Sequence, residues 1–91
     1  MTKKSIYKVP NGKLLKIFLE EKDGAIATIK ITGDFFMYPE QRVEEIEAAL
    51  AGIARSGEKI RARLEDFFKA HPTSLFGLDT EALVYAITAA Q

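Results

Sequence analysis

The chain has 91 residues, 47% of them hydrophobic, and its 13 basic and 13 acidic side chains leave no net charge at pH 7. That length predicts one small domain, and a neutral chain has no general attraction for phosphate backbones or anionic lipid. The lack of cysteine excludes disulfides and thiol chemistry. No apolar run approaches the roughly 20 residues of a membrane span, and the N-terminus lacks the apolar segment of a signal peptide. We therefore expect a cytoplasmic protein that binds neither nucleic acid nor membrane.

Three strands are predicted at the start of the chain. Residues 5–9, 14–21 and 25–32 alternate between apolar and polar side chains and are rich in strand-forming types. Asn-Gly and Asp-Gly turns separate them. Turns this short join antiparallel neighbours, because parallel neighbours need long crossovers. We expect an antiparallel meander whose first strand, flanked by lysines, lies at the sheet edge.

Alternation also predicts which strand residues face the core. The predicted core face carries Leu15, Ile17 and Leu19 with Ala27, Ile29 and Ile31. The opposite face carries Leu14, Lys16, Phe18, Ile26, Thr28 and Lys30. This opposite face is only half polar, and Phe18 is its largest apolar member. It is covered by a helix, covered by another protein, or exposed.

Beyond the strands the period changes to about 3.6, which predicts three helices. Pro39 suits a first helical position, and His71 before a proline should end the second helix. Residues 73–78 form a connector, and Asp79 is the expected N-cap of the third helix, residues 80–89. The apolar stripes are Val43, Ile46, Leu50 and Ile53, then Ile60, Leu64, Phe67 and Phe68, then Leu83, Val84 and Ile87. The predicted fold class is α+β: a three-stranded antiparallel meander followed by three helices in a single domain.

Candidate catalytic and metal-binding sets are sparse. The single histidine, His71, is most simply a surface residue or a partner of a helix dipole, and one histidine without cysteine disfavours a transition-metal site. Glu44, Glu45 and Glu47 are interpreted as a solvated helix face. No Walker-type or dinucleotide-binding glycine pattern is present. We predict no catalytic, metal-binding or cofactor-binding residue, so a small self-sufficient enzyme is the least favoured hypothesis.

The stretch "TGDFF" (residues 32–36) is the candidate binding feature. Neighbouring side chains on an extended chain point to opposite sides, so Phe35 and Phe36 cannot both face one core unless the chain bends. In a purely structural interpretation, Gly33 permits the bend, Asp34 bonds local backbone and the rings seal the corner. In the alternative, Asp34 and one ring protrude to contact a partner. The candidate partner-binding residues are Gly33, Asp34, Phe35 and Phe36, with Phe18 and Lys16 on the sheet.

Over nearly its whole length the chain resembles the C-terminal accessory domain of lipoate–protein ligases. The resemblance is carried by "NGKLLKIFLEEKDGAIATIKITGDFFMYPE", by "IEAALAG" on the first helix and by "FGLDTEALVYAI" at the end. Its most specific element is "ITGDFF" after an Asp-Gly hairpin. In some members of the family, archaeal ones among them, the accessory and catalytic parts are separate chains. A small chain that begins at methionine looks like the accessory part of such a pair.

The resemblance implies a two-step reaction performed with a large catalytic subunit. Lipoate and ATP first give lipoyl-AMP and pyrophosphate. The lipoyl group then passes to a lysine on the lipoyl domain of a 2-oxoacid dehydrogenase acyltransferase or on the glycine-cleavage carrier protein. ATP, lipoate and magnesium are expected to bind to the large subunit and no cofactor to this chain alone. The small subunit of the heterodimer is expected to be needed for adenylate formation and largely dispensable for transfer.

A function of another class stays open. A β-meander beside helices also occurs in modules that bind a peptide or RNA through the sheet, although fold alone does not give function. The neutral charge and the lack of an RNP-like aromatic motif disfavour RNA. The leading hypothesis is a noncatalytic, essential subunit of a two-part lipoate–protein ligase. The alternative is a generic protein- or RNA-interaction module.

Overall fold

An antiparallel sheet packed against helices forms most of the molecule, and the structure, a computed structural model, describes residues 2–91. In chain order the elements are β1 (Thr2–Lys8), β2 (Leu14–Lys22), β3 (Ala25–Gly33), β4 (Phe36–Tyr38), α1 (Arg42–Leu50), α2 (Gly57–Ala70), β5 (Ser74–Phe76) and α3 (Thr80–Ala89). The sheet has the order β1-β2-β3, and β4 pairs with β5 as a separate two-stranded ribbon. The predicted α+β class is confirmed, as are the three-stranded meander and the edge position of β1.

The core lies between one face of the sheet and the helices. α1 packs on β3, α3 packs on β1 and β2, and α2 contacts both other helices. The largest fully buried side chains are Leu15, Ile17, Leu19, Ile26, Ile46, Leu50, Ile60, Leu64, Leu83 and Ile87. Burying each contributes roughly 1.5–3 kcal/mol. Among residues 2–91 no polar or charged residue is buried, so packing of apolar side chains is the main stabilising interaction of this core.

A bulge in β3 changes which of its residues face the core. Ile26 is fully buried and Ala27 is exposed, so the prediction was wrong at both positions. Glu20 pairs with Thr28, whereas the next residue, Glu21, pairs with Ile26. Ala27 is therefore the extra residue of a bulge. A shift of one residue moves the side chains that follow to the opposite face.

Helix boundaries follow the sequence signals except at α1. Asp79 Oδ1 accepts a hydrogen bond from the Ala82 N–H at 2.8 Å, which confirms the N-cap of α3. α2 ends directly before His71, as predicted. α1 begins at Arg42 rather than Pro39, because Pro39 lies in a turn whose carbonyl accepts the Arg42 N–H at 3.0 Å. No helix within residues 2–91 combines the length and apolarity required to cross a membrane.

Arg55, in the break between α1 and α2, joins the end of α3 to the sheet. Its Nη1 lies at hydrogen-bonding distance from the carbonyl oxygens of Ile87, Thr88 and Ala90, at 3.1, 2.9 and 3.0 Å. Its Nε lies 3.3 Å from a carboxylate oxygen of Glu21 on β2. The last carbonyls of a helix lack partners within the helix and favour a nearby cation. The guanidinium therefore stabilises the end of α3 and holds it near the sheet.

Arg55→Met should lower the free energy of unfolding by about 2–3 kcal/mol, because it leaves carbonyls and a carboxylate without their charged partner. Urea unfolding followed by circular dichroism measures the loss. Arg63→Met, on the exposed side of α2, is the matched control and should change stability by less than about 0.5 kcal/mol. Equal losses in the two variants would contradict the role given to Arg55.

The ion pairs of Glu21 predict a pH dependence. The hydrogen bond from Arg55 is the main cause that holds the pKa of Glu21 below its ordinary value of 4.5, and Lys3, 3.3 Å away, adds to the effect. A carboxyl group whose pKa is lowered by folding stabilises the folded state fully at pH values above its ordinary pKa. This stabilisation is lost as the pH falls through the lower pKa of the folded state. We expect melting temperature to fall below about pH 4.5, and Glu21→Gln to weaken that fall. Melting curves from pH 7 downward test this, with Glu44→Gln as control.

Candidate partner-binding surface

The chain turns sharply between β3 and β4. Gly33 ends β3 with φ at +145°, a conformation that residues with a side chain rarely adopt. The N–H of the next residue, Asp34, donates a hydrogen bond of 2.9 Å to the carbonyl of Leu14 on β2. A Cβ at Gly33 would collide with that same carbonyl oxygen. The bend that begins the candidate site therefore requires glycine.

The ribbon of β4 and β5 displays aromatic rings directly after the bend. Met37, in the middle of β4, is 2% exposed, whereas Phe36 and Tyr38 on either side of it are 51% and 64% exposed. Phe36 pairs with Phe76 of β5, which is 57% exposed, and their ring centroids lie 6.3 Å apart in an edge-to-face arrangement. Phe36, Tyr38 and Phe76 form an exposed surface that we call the aromatic ribbon.

The adjacent phenylalanines point in different directions. Phe35 is half-buried and packs against the core, whereas Phe36 is largely exposed. Alternation explains the difference, because neighbouring residues of an extended chain face opposite sides. One ring protrudes, as the partner-binding hypothesis requires. That this ring contacts a partner stays a prediction.

Lys16 and Phe18 lie on the outer face of β2, the face opposite the core. Lys16 pairs with Thr32, which directly precedes Gly33, and it is half-buried. Phe18 is one row further from the bend and 36% exposed. The structure thus brings Gly33, Asp34 and Phe36 together and places the two β2 residues on the adjoining face of the sheet.

Sequence reasoning missed the second strand of the ribbon. Residues 73–78, predicted as a connector, contain β5, so Phe76 joins the surface, as does Tyr38 through its strand β4. A three-residue strand is too short to show a clear alternation. The sequence does show three large apolar residues here, Leu75, Phe76 and Leu78. The structure leaves only Phe76 of the three exposed. Pairing across a long stretch of chain cannot be recognised from such a run.

Asp34→Ala should leave the stability of the isolated chain almost unchanged. The carboxylate is exposed and accepts no hydrogen bond from residues 2–91, so the free energy of unfolding should change by less than about 0.5 kcal/mol. Asp79→Ala is the control, because it removes an observed N-cap and should cost about 1 kcal/mol. If the two variants melt alike in parallel denaturation curves, Asp34 is a structural cap rather than a contact residue.

The aromatic ribbon offers contact area and a carboxylate at its margin. No group of three or more metal-ligating side chains occurs within residues 2–91. Clusters of exposed aromatic rings on a small domain are typical of protein interfaces, where such rings are favoured anchors. The arrangement is therefore suited to binding a protein partner.

Comparison with known proteins identifies the class of protein to which this fold and surface belong. The family described as the bacterial lipoate protein ligase C-terminus matches residues 3–87. The chain belongs to this family, which confirms the resemblance based on "ITGDFF".

The relatives include a ligase subunit from an archaeon. The chain is 38% identical to lipoate-protein ligase A subunit 2 of Thermoplasma acidophilum over 55 residues, which are 60% of this chain and 56% of that protein. The matched segment thus spans about half the length of the relative. A solved structure is described as an archaeal lipoylation system of the same organism, a bi-partite lipoate protein ligase and its E2 lipoyl domain. One of its chains matches 96% of this chain and 94% of its own length, with a TM-score of 0.83 and 29% identity.

Proposed function

We propose that this chain is the noncatalytic small subunit of a two-part lipoate–protein ligase. With a large catalytic subunit it would be required for the ATP-dependent activation of lipoate to lipoyl-AMP. The observation that carries the proposal is the match over 96% of the chain to a chain from a bipartite ligase structure. Family membership over residues 3–87 supports it, and so does a surface that offers aromatic contact area.

A physical reason favours an accessory subunit in the first step. Activation requires the carboxylate of lipoate to attack a phosphate of ATP, so two negatively charged groups must be held together and kept from water. The large subunit would bind ATP, lipoate and magnesium. A small domain packed beside that site can order its loops and exclude solvent without supplying a nucleophile.

The second step, transfer of the lipoyl group, requires the small subunit to move rather than to cover the site. The lipoyl group passes to a lysine of a lipoyl domain, which is itself a folded protein. A domain that covers the site must move to admit it. We therefore expect this chain to matter for lipoyl-AMP formation and to be largely dispensable for transfer.

We assign the contact with the large subunit to the aromatic ribbon and its margin. Phe36 and Phe76 are held by the backbone pairing of β4 and β5, so they lose little conformational freedom on binding. Asp34 lies at the beginning of the ribbon and is free to accept a charge-assisted hydrogen bond. Lys16 and Phe18 extend the proposed contact onto the sheet.

The decisive experiment compares the two half-reactions with and without this chain. Pyrophosphate release by the large subunit, supplied with ATP and lipoate, should be fast only when this chain is present. Transfer from preformed lipoyl-AMP to a lipoyl domain should proceed at a similar rate in both cases. Equal rates of pyrophosphate release would remove the proposal.

A further inference from the structure

The outer face of the three-stranded sheet shows a regular pattern of lysines around apolar side chains. Pairing of the strands places Lys4, Phe18 and Lys30 in one row. Ile6, Lys16 and Thr32 form the next row. Phe18 is 36% exposed and Ile6 is 61% exposed. Each exposed apolar side chain on this face therefore lies next to a lysine.

This outer face is positively charged although the whole chain is neutral. Its lysines are Lys4, Lys8, Lys16, Lys22 and Lys30, whereas Glu20 is the one acid among the described strand residues that face this side. The ion pairs found within residues 2–91 use Lys3, Arg42, Arg55 and Arg61, and thus no lysine of this face. The acids that balance these lysines are spread over the helices and turns, and α1 and α2 together carry six acids against five basic side chains. The Lys8 ammonium donates a hydrogen bond to the Gly12 carbonyl oxygen. Lys4, Lys16 and Lys30 form no ion pair within residues 2–91 and are available to an external anionic group.

We propose that the outer sheet face docks an acidic surface of the ligase catalytic subunit, an inference that rests on the function proposed above. Charge complementarity is the first reason, since unpaired lysines on one side of a neutral protein favour a negatively charged partner. The second reason is that the outer sheet face is continuous with the contact proposed for the aromatic ribbon. Lys16 lies opposite Thr32, next to the bend at Gly33 and Asp34, so the face adjoins the proposed contact of the aromatic ribbon.

The composition of the face favours a folded protein over RNA or a lipid surface. RNA-binding sheets stack bases on several aromatic rings or on arginine, whereas this face has one ring, Phe18, and the aliphatic Ile6. Phe18 is flanked by Lys4 and Lys30 and is only 36% exposed, so it provides no protruding wedge for a bilayer. Phe18 on the central strand lies between Lys4 and Lys30 on the two edge strands, and apolar residues bordered by charged ones are found at protein interfaces.

Two surfaces of different chemistry should contribute differently to association. Charged groups at the rim of an interface mainly set the association rate and its salt dependence, whereas buried anchors mainly set the dissociation rate. The lysine face should therefore speed the encounter with the catalytic subunit. The aromatic ribbon should hold the complex once it has formed.

Binding kinetics with the immobilised catalytic subunit test the inference. The triple variant K4Q/K16Q/K30Q removes charge from the outer face, and K59Q/R63Q/K69Q removes equal charge from exposed positions of α2 as the matched control. We expect the first variant to associate about tenfold more slowly at low salt, with little change in dissociation. Raising salt from about 50 mM to about 500 mM should slow the wild type and the control much more than the first variant. The variant K4R/K16R/K30R should restore the wild-type rate.

The outcomes separate this inference from the function on which it rests. If the wild type accelerates pyrophosphate release but its association is insensitive to salt, or both glutamine variants bind alike, the docking inference is wrong and the function stands. If the wild type neither binds the catalytic subunit nor changes pyrophosphate release, the proposed function fails. Lysine-dependent binding to a single-stranded RNA oligonucleotide or to phosphatidylglycerol vesicles, with ligase binding unchanged, would also overturn the inference.

Discussion

Replacing Phe36 and Phe76 together by alanine should remove most of the stimulation of pyrophosphate release while leaving the chain folded. The rings are 51% and 57% exposed, so the fold uses only part of their surface. The two rings contact each other edge to face, so each supports the position of the other. Truncation of anchoring aromatic residues at an interface commonly costs 2 kcal/mol or more. Affinity for the catalytic subunit should thus fall roughly 30-fold or more, mainly through faster dissociation.

A matched control keeps the result specific to the aromatic ribbon. Tyr85 on α3 is 57% exposed and packs against Tyr7 at a centroid distance of 4.6 Å, so Tyr85→Ala removes a similar ring elsewhere. This variant should stimulate pyrophosphate release as the wild type does. High concentrations of the Phe36 and Phe76 variant should restore stimulation, because only its affinity is impaired. Unchanged affinity in that variant would place the interface elsewhere on the molecule.

Local patterns predicted the layers of the fold because burial follows the period of each element. Leu15, Ile17 and Leu19 are buried on β2 as alternation requires, and Asp79 caps α3 because a short acidic side chain can reach a free helix N–H. These signals depend on residues close together in the chain. Such local signals cannot show a structural feature that depends on residues far apart in the chain.

The errors of the sequence-based prediction come from contacts between residues that are far apart in the chain. The bulge at Ala27 arises from the pairing of β3 with β2 and leaves no mark in the local sequence, so Ile26 was placed on the wrong face. β4 and β5 are three residues each, and each pairs with a strand far away in the sequence. The sequence therefore pointed to Phe36 but not to Phe76, its neighbour in space.

The position of Phe36 depends on the residues before it. Gly33 provides the bend, and Phe35 packs inward against the core, so the next residue is directed outward. Met37 then returns to the core and fixes the strand on its other side. The exposed ring is thus held between two buried anchors. A rigidly held aromatic ring is well suited to be an interface anchor, because little freedom is lost on binding.

Gly33→Ala should therefore affect both the fold and the proposed interaction. The new Cβ would collide with the Leu14 carbonyl oxygen, which accepts the Asp34 N–H, and the backbone conformation at φ +145° is itself unfavourable for alanine. Strain of this kind costs about 1–3 kcal/mol, and loss of the hydrogen bond adds about 1 kcal/mol. We expect the free energy of unfolding to fall by about 2–4 kcal/mol in urea titrations, a large share of the stability of a domain this small.

Gly24→Ala distinguishes the collision from the conformational cost. Gly24 also has a positive φ, +80°, but a Cβ there would meet no atom within 4 Å. Its substitution should cost only about 1–2 kcal/mol. In solutions where both variants remain folded, Gly33→Ala should bind the catalytic subunit more weakly, because relief of the collision moves the strand that carries Phe36. Equal stability and equal affinity in the two variants would show that neither the bend nor the ring beyond it depends on glycine at position 33.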